Sequence, residues 1–198
     1  MKGLMAPAYH TALKGERISA VPRMRVESPA GVSFVHDLLG GPLPDEYAAC
    51  DVFYADLPWP AGFAEFERRA GLAPGRSYGE FMAAVARIIR TIRKPVLLAA
   101  GKQALRHLAS PAAVLSSKLN GAACVVIMFH ANIQPACSDT VALLGWLAER
   151  YGCIGDFCCG YGRAGRIFAE RGKRFVMSDY NPECIGYIGE SLVSSPNH

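Results

Sequence analysis

Four of the six short apolar runs in this 198-residue chain carry an aspartate at or beside one end, and helical patterns separate the runs. Residues 32–35 lead to His36-Asp37, residues 51–55 (DVFYA) to Asp56, and residues 174–178 (RFVMS) to Asp179. Residues 155–159 carry Asp156, while 95–100 (PVLLAA) and 122–129 (AACVVIMF) complete the set. A helix is predicted from Ser77 or Tyr78 through Ile92, with Phe81, Met82, Val85, Ile88, Ile89 and Ile92 on one face. A second covers 140–151, with Asp139 as N-cap and Gly152 as its stop, and a third lies near 165–171. Such alternation predicts a mainly parallel sheet covered by helices on both faces. In sheets of that kind ligands bind beyond the carboxyl ends of the strands, which is where Asp37, Asp56, Asp156 and Asp179 stand.

Composition narrows the alternatives. Hydrophobic residues make up 51% and charged residues 19%, enough for a core and too apolar for a disordered chain. A net charge of +4 permits an anionic partner without demanding one. Seven cysteines without a CxxC pair fit reduced thiols in a soluble cytoplasmic protein, not a disulfide scaffold or zinc finger, and no apolar stretch reaches membrane-span length. Residues 1–30, broken by Pro7, Pro22 and Pro29 and bearing Lys14, Arg17, Arg23 and Arg25, read as a partly irregular arm, lying on the domain or reaching for a partner, before a single domain over 31–198.

Two motifs carry chemistry. Asp156-Phe157-Cys158-Cys159-Gly160-Tyr161-Gly162-Arg163-Ala164-Gly165 joins a strand to a helix, so that backbone can approach a ligand and free amides face it. Asp179 follows about twenty residues later at a strand end, where a carboxylate accepts ribose hydroxyls. Gly160, Gly162 and Gly165 also match the dinucleotide GxGxxG spacing. A nicotinamide half-domain, however, needs more strands downstream than the single one found here. The other motif, Asp56-Leu57-Pro58-Trp59, comes directly after an apolar strand. A carboxylate and a carbonyl before proline both accept from an amino group, and the indole offers a face for a planar base.

Together the motifs resemble the S-adenosylmethionine-dependent amino-methyltransferases of nucleic-acid bases, which carry [D/N/S]PP[Y/F/W] and DxFxGxG-type motifs. The catalytic motif precedes the cofactor motif, similar to the permuted (β-type) class. Residues 35–52, 139–149 and Asp179-Tyr180-Asn181-Pro182 extend the likeness over about residues 32–192. Leu57 replaces the family's first proline, and Cys158, or Phe157 shifted by one, stands at its aromatic position. The resemblance implies a three-layer Rossmann-like methyltransferase fold with a mostly parallel sheet. It also implies methyl transfer to an exocyclic amine, with adenine N6 of DNA favoured. Asp56, Leu57, Pro58 and Trp59 would be catalytic, and Asp37, Asp156, Phe157, Cys158, Gly160, Gly162, Asp179 and Asn181 would bind S-adenosylmethionine. A target in RNA, a small molecule or a protein, a degenerate nucleic-acid-binding partner subunit, and a nicotinamide oxidoreductase stay open as rivals.

Arg68, Arg69 and Arg76 are expected in the loop after the catalytic motif, where they could grip phosphates of DNA, whereas Arg87 and Arg90 read as a solvated helix face. His107 and His130 lack a second ligand at metal spacing and read as packing residues. A homodimer would complete the substrate surface of so small an enzyme.

Overall fold

In the computed structural model, residues 24–193 are described apart from positions 73, 74, 132, 134 and 136. Most of the expected N-terminal arm therefore lies outside the described residues. In its last part β1 (Arg25–Ser28) folds back antiparallel onto β2 (Gly31–Val35). Then come β3 (Val52–Asp56), α1 (Pro60–Arg69), α2 (Tyr78–Thr91), β4 (Val96–Ala100), β5 (Ala113–Leu119) and β6 (Ala122–Phe129). The chain continues through α3 (Thr140–Arg150), β7 (Cys153–Asp156), α4 (Arg163–Ala169), β8 (Arg174–Asp179) and α5 (Pro182–Val193).

Among the described residues one sheet of eight strands forms, in the order β1-β2-β8-β7-β3-β4-β6-β5. The block β2-β8-β7-β3-β4 is parallel, and β1, β6 and β5 complete the sheet through antiparallel pairings. Strand β4 is buried along its whole length, which is why its sequence VLLAA shows no alternation.

Helix α2 covers one face. Ser77 and Glu80 form a capping box at its start, and Phe81, Met82, Val85, Ile88 and Ile89 are buried in one cluster with Phe53, Leu98 and Ile127. Each such side chain contributes about 1.5–3 kcal/mol by leaving water. Arg87 and Arg90 are exposed on the outer face of α2 as expected, and the Arg87 guanidinium also donates to the carbonyls of Leu38 and Gly41, which ties α2 to the segment after β2. On the other face α3, α4 and α5 bury Leu143, Leu144, Leu147, Phe168, Ile185 and Ile188 with Tyr54, Leu97, Met128 and Met177. The result is the three-layer α/β architecture that the alternation predicts.

Asp51 braces the centre of the sheet. One carboxylate oxygen accepts from the backbone N–H groups of Gly152 and Cys153, at 3.0 and 2.9 Å, and so fixes where β7 begins beside β3. No helix among the described residues is long and apolar enough to cross a membrane.

Candidate active site

Strands β3 and β7 are neighbours, with Tyr54 opposite Asp156, yet the chain leaves them in opposite directions. After β3 it passes through α1 and α2 to β4 on one side. After β7 it passes through α4 to β8 on the other. Such a divergence opens a crevice at the carboxyl edge, the place where open α/β sheets bind ligands. Asp56 ends β3 and Asp156 ends β7, so the two sequence motifs flank this crevice. Asp156 lies opposite Met177, and Asp56 and Asp179 stand two residues beyond Tyr54 and Met177. Side chains alternate along a strand, so all three acids belong to the sheet face covered by α4.

The glycine turn is locked from within. Asp156 is buried and accepts from Cys158 N–H at 3.2 Å. Burial pushes its carboxyl well above the usual range, and the neighbouring charges of Asp56 and Asp179 add to the rise. Cys159 N–H donates to the Ser178 carbonyl. Asp179 accepts from Gly160 N–H at 2.8 Å and from Asn181 N–H at 2.9 Å, holding the turn to β8, while burial raises its carboxyl against those bonds. Asn181 in turn accepts from Glu183 N–H at the start of α5. Underneath, the Tyr47 hydroxyl donates to the Asp156 carbonyl at 3.0 Å and lies 2.7 Å from Ser178 Oγ.

The glycines divide by cause. A Cβ on Gly165 would stand 2.4 Å from Met177, a packing conflict, whereas Gly162 is disfavoured both by its φ of +75° and by Ile188 at 2.8 Å. Gly160, at φ +48°, has nothing within 4 Å of a Cβ position and opens on free space. Phe157 is buried in the core cluster of α2, and Cys158 is half-buried at the turn.

The Asp56 side is built differently. Its half-buried carboxylate has no hydrogen bond or ion pair among the described residues. Burial pushes it up to about 6, and Arg163 at the start of α4 draws it back down. Leu57 donates its N–H to the Ala99 carbonyl at 2.9 Å and buries its side chain. A proline there would lose that bond, a physical reason for the departure from a double proline. Trp59 is 38% exposed, precedes Pro60 at the start of α1, and lays its ring about 3.7 Å from the Cβ position of Gly101 beyond β4.

Two of the three expected phosphate-binding arginines are placed otherwise than expected, and the third is engaged inside the fold. Arg68 and Arg69 are not in a loop but close α1, and both guanidinium groups bind Glu65. Arg76 does lie between α1 and α2, yet it is spent internally, 2.6 Å from Asp37 and 3.1 Å from the buried Glu67. Asp37 also accepts from Leu39 N–H through the same Oδ1, which leaves Oδ2 without a partner among the described residues. His107 packs edge-on against Tyr78, and His130 Nε2 lies 2.9 Å from the Ile89 carbonyl. Sequence reasoning missed Tyr47 and the contact of Arg163 with Asn120 at 2.7 Å. Asn120-Gly121, a hairpin-turn pair, was the available signal for the second.

No protein family matches the sequence, and no curated protein does. Solved structures do. M1.HpyAVI in its SAM complex aligns at TM-score 0.50 with 10% identity, covering 83% of this chain and 100% of that one. M1.HpyAVI alone aligns at TM-score 0.49 with 10% identity over 83% and 98% of the two chains. TTHA0409 from Thermus thermophilus aligns at 0.45 with 12% identity over 72% and 85%. The likeness is one of fold, and the chain has the Rossmann-like architecture of the SAM-bound neighbour, with the β3 turn preceding the β7 turn in sequence.

Proposed function

We propose that the protein is an S-adenosylmethionine-dependent methyltransferase acting on the exocyclic amine of a nucleic-acid base, with adenine N6 in DNA as the favoured target. One observation carries the reading. An unpaired, half-buried carboxylate, Asp56, waits at the switch point one strand away from a glycine turn open at Gly160.

The residues fit such a cofactor. Gly160 leaves space beside the turn, and Asp179, held by the backbone at Gly160, Asn181 and Tyr180, keeps acceptor capacity for a ribose hydroxyl. Asp37 Oδ2 is free for a base amine, and Cys158 and Asn181 border the same turn. Asp156, Phe157 and Gly162 support it from the core side. When bound, S-adenosylmethionine supplies an electrophilic methyl group on a sulfonium sulfur.

The chain's own task is position and electrostatics. Ionised Asp56 accepts one amine hydrogen and turns the nitrogen lone pair outward. The Leu57 carbonyl accepts the other, held in place because the Leu57 N–H is fixed to β4 and Pro58 stiffens the peptide beyond it. Trp59 offers its exposed face to a base turned out of its stack, worth about 1–3 kcal/mol. Arg68 and Arg69, exposed at the far end of α1, are the residues left to meet phosphates. M1.HpyAVI, with its SAM complex, supports the cofactor assignment through shared fold.

The test is nucleoside mass spectrometry of DNA and RNA incubated with protein and cofactor. Methyladenosine that appears with the wild type and vanishes with Asp56→Asn supports the reading. Absence of both cofactor binding and transfer to any nucleic acid sinks it.

A further inference from the structure

Arg163 begins α4, which packs over β7 and β8. Its guanidinium nonetheless donates to Asn120 at 2.7 Å, and Asn120 stands in the turn between β5 and β6 at the far side of the sheet. In the sheet order, β3 and β4 lie between these two places. The hairpin can meet the arginine because it overhangs the carboxyl edge. Ala100, the last residue of β4, pairs with Val125, so residues 118–123 extend beyond it. Asn120 adopts φ +50° and Gly121 φ +83°, the left-handed pair that turns a tight hairpin. The Arg163 side chain thus spans the crevice on the face that bears Asp56.

We propose that Arg163, latched to Asn120 across the crevice, is a positioning residue that keeps Asp56 an ionised acceptor for the target amine. The proposal deepens the methyltransferase reading and rests on it. Arg163 forms no ion pair within 4 Å among the described residues, so its charge is available to Asp56. Among the described residues it is the one cation that acts on this carboxylate, and it opposes the burial that would protonate it. The other titratable groups facing Asp56 are Asp156 at the end of β7, Tyr54 on its own strand, Cys124 on β6 and Cys158 in the glycine turn. Asp156 is itself held towards the neutral acid by burial, and the thiols and the phenol are held neutral. None of them can replace the guanidinium.

The experiment has two arms. In the first, the Asp56 carboxyl carbon is titrated by ¹³C NMR in the full chain, with Asp56→Asn assigning the resonance. Arg163→Gln should raise the midpoint by about half a pH unit, and Arg163→Lys should leave it near the wild type. Asn120→Ala, which frees the guanidinium without removing its charge, should give a smaller rise. An unmoved midpoint in Arg163→Gln, or an equal rise in Arg163→Lys, overturns the proposal. In the second arm, the acid limb of methyl transfer to DNA is followed in the same variants. Arg163→Gln should lose about threefold in rate on the acid limb and little at high pH, since about half a unit is a threefold change in ionised fraction. Equal loss on the limb and on the plateau would mean a merely structural role and overturn the proposal. A wild type that transfers nothing, with the titration behaving as stated, would instead count against the methyltransferase reading.

Discussion

The two turns that meet at the crevice treat their aspartates in opposite ways. At the turn after β7, Asp156 and Asp179, the latter reaching in from the end of β8, are buried and engaged by backbone donors from Cys158, Gly160 and Asn181. After β3, Asp56 has no such donor and is drawn only by the charge of Arg163. Intramolecular donors make the first turn rigid before any ligand arrives. The lack of them leaves the second with an acceptor in reserve. A rigid cradle beside an unsatisfied acid is a division of labour between holding and reacting, and it explains why one residue of each type cannot be exchanged for the other.

The largest effect that would break this comparison is expected at Asp56. Asp56→Asn should lower methyl transfer about 10²–10⁴-fold, the range for removing a positioned acid–base group. The same change should make the fold more stable. A carboxyl raised to about 6 in the fold, against about 3.9 in the unfolded chain, carries no penalty below pH ~4. The penalty grows as pH rises through about 6 and is complete above it. Asp56→Asn should therefore stabilise by about 1–2 kcal/mol well above that range, after allowance for partial solvent contact, and by nothing below pH ~4. Urea melts on either side of the range read this directly. Activity should fall with acid on a limb set by the same group.

Asp179→Ala should do the reverse. It strands two backbone N–H groups, each worth about 1–3 kcal/mol, so thermal melts should show a clear loss. Calorimetry should show cofactor affinity falling with it. Equal stability of both variants in mild alkali would erase the contrast between the turns.

The fold was largely legible because its strands and helices differ in period and because four apolar runs carry acids. Each of the six expected strands has a counterpart, β6 with the expected bounds, but the run 155–159 is displaced: β7 spans Cys153–Asp156, and residues 157–159 already belong to the turn. What stayed hidden had weak local signals. Strand β5 alternates half-buried with exposed residues, and AVLSSKL shows that pattern too faintly beside its polar neighbours. Helix α1 starts behind two prolines, Pro58 and Pro60, which read as a loop until Pro60 is seen to occupy the first helical position. At the site, the sequence placed Asp56, Asp156 and Asp179 at strand ends but could not tell which of them would be paired. Pairing depends on contacts such as Arg76 with Glu67 and Asp37, or Arg163 with Asn120, that join residues 9 to 43 positions apart across different elements. Arg76 read as a phosphate grip for the same reason.

The smaller effects sharpen the comparison inside the glycine turn. Gly165→Ala forces a methyl group against Met177 and Phe175 in a filled core and should cost about 1–3 kcal/mol. Its effect on ligand binding should come only from that loss. Gly160→Ala meets no neighbour, so its cost is the left-handed backbone alone, about 1 kcal/mol. Its consequence should appear elsewhere, as a methyl group projecting into the space beside Asp179. Cofactor affinity should therefore drop further in Gly160→Ala than in Gly165→Ala, although the first is the more stable protein. Differential scanning and isothermal calorimetry on the two variants give the two rankings. If both rank the same way, the glycines are all structural, and Gly160 does not face the ligand.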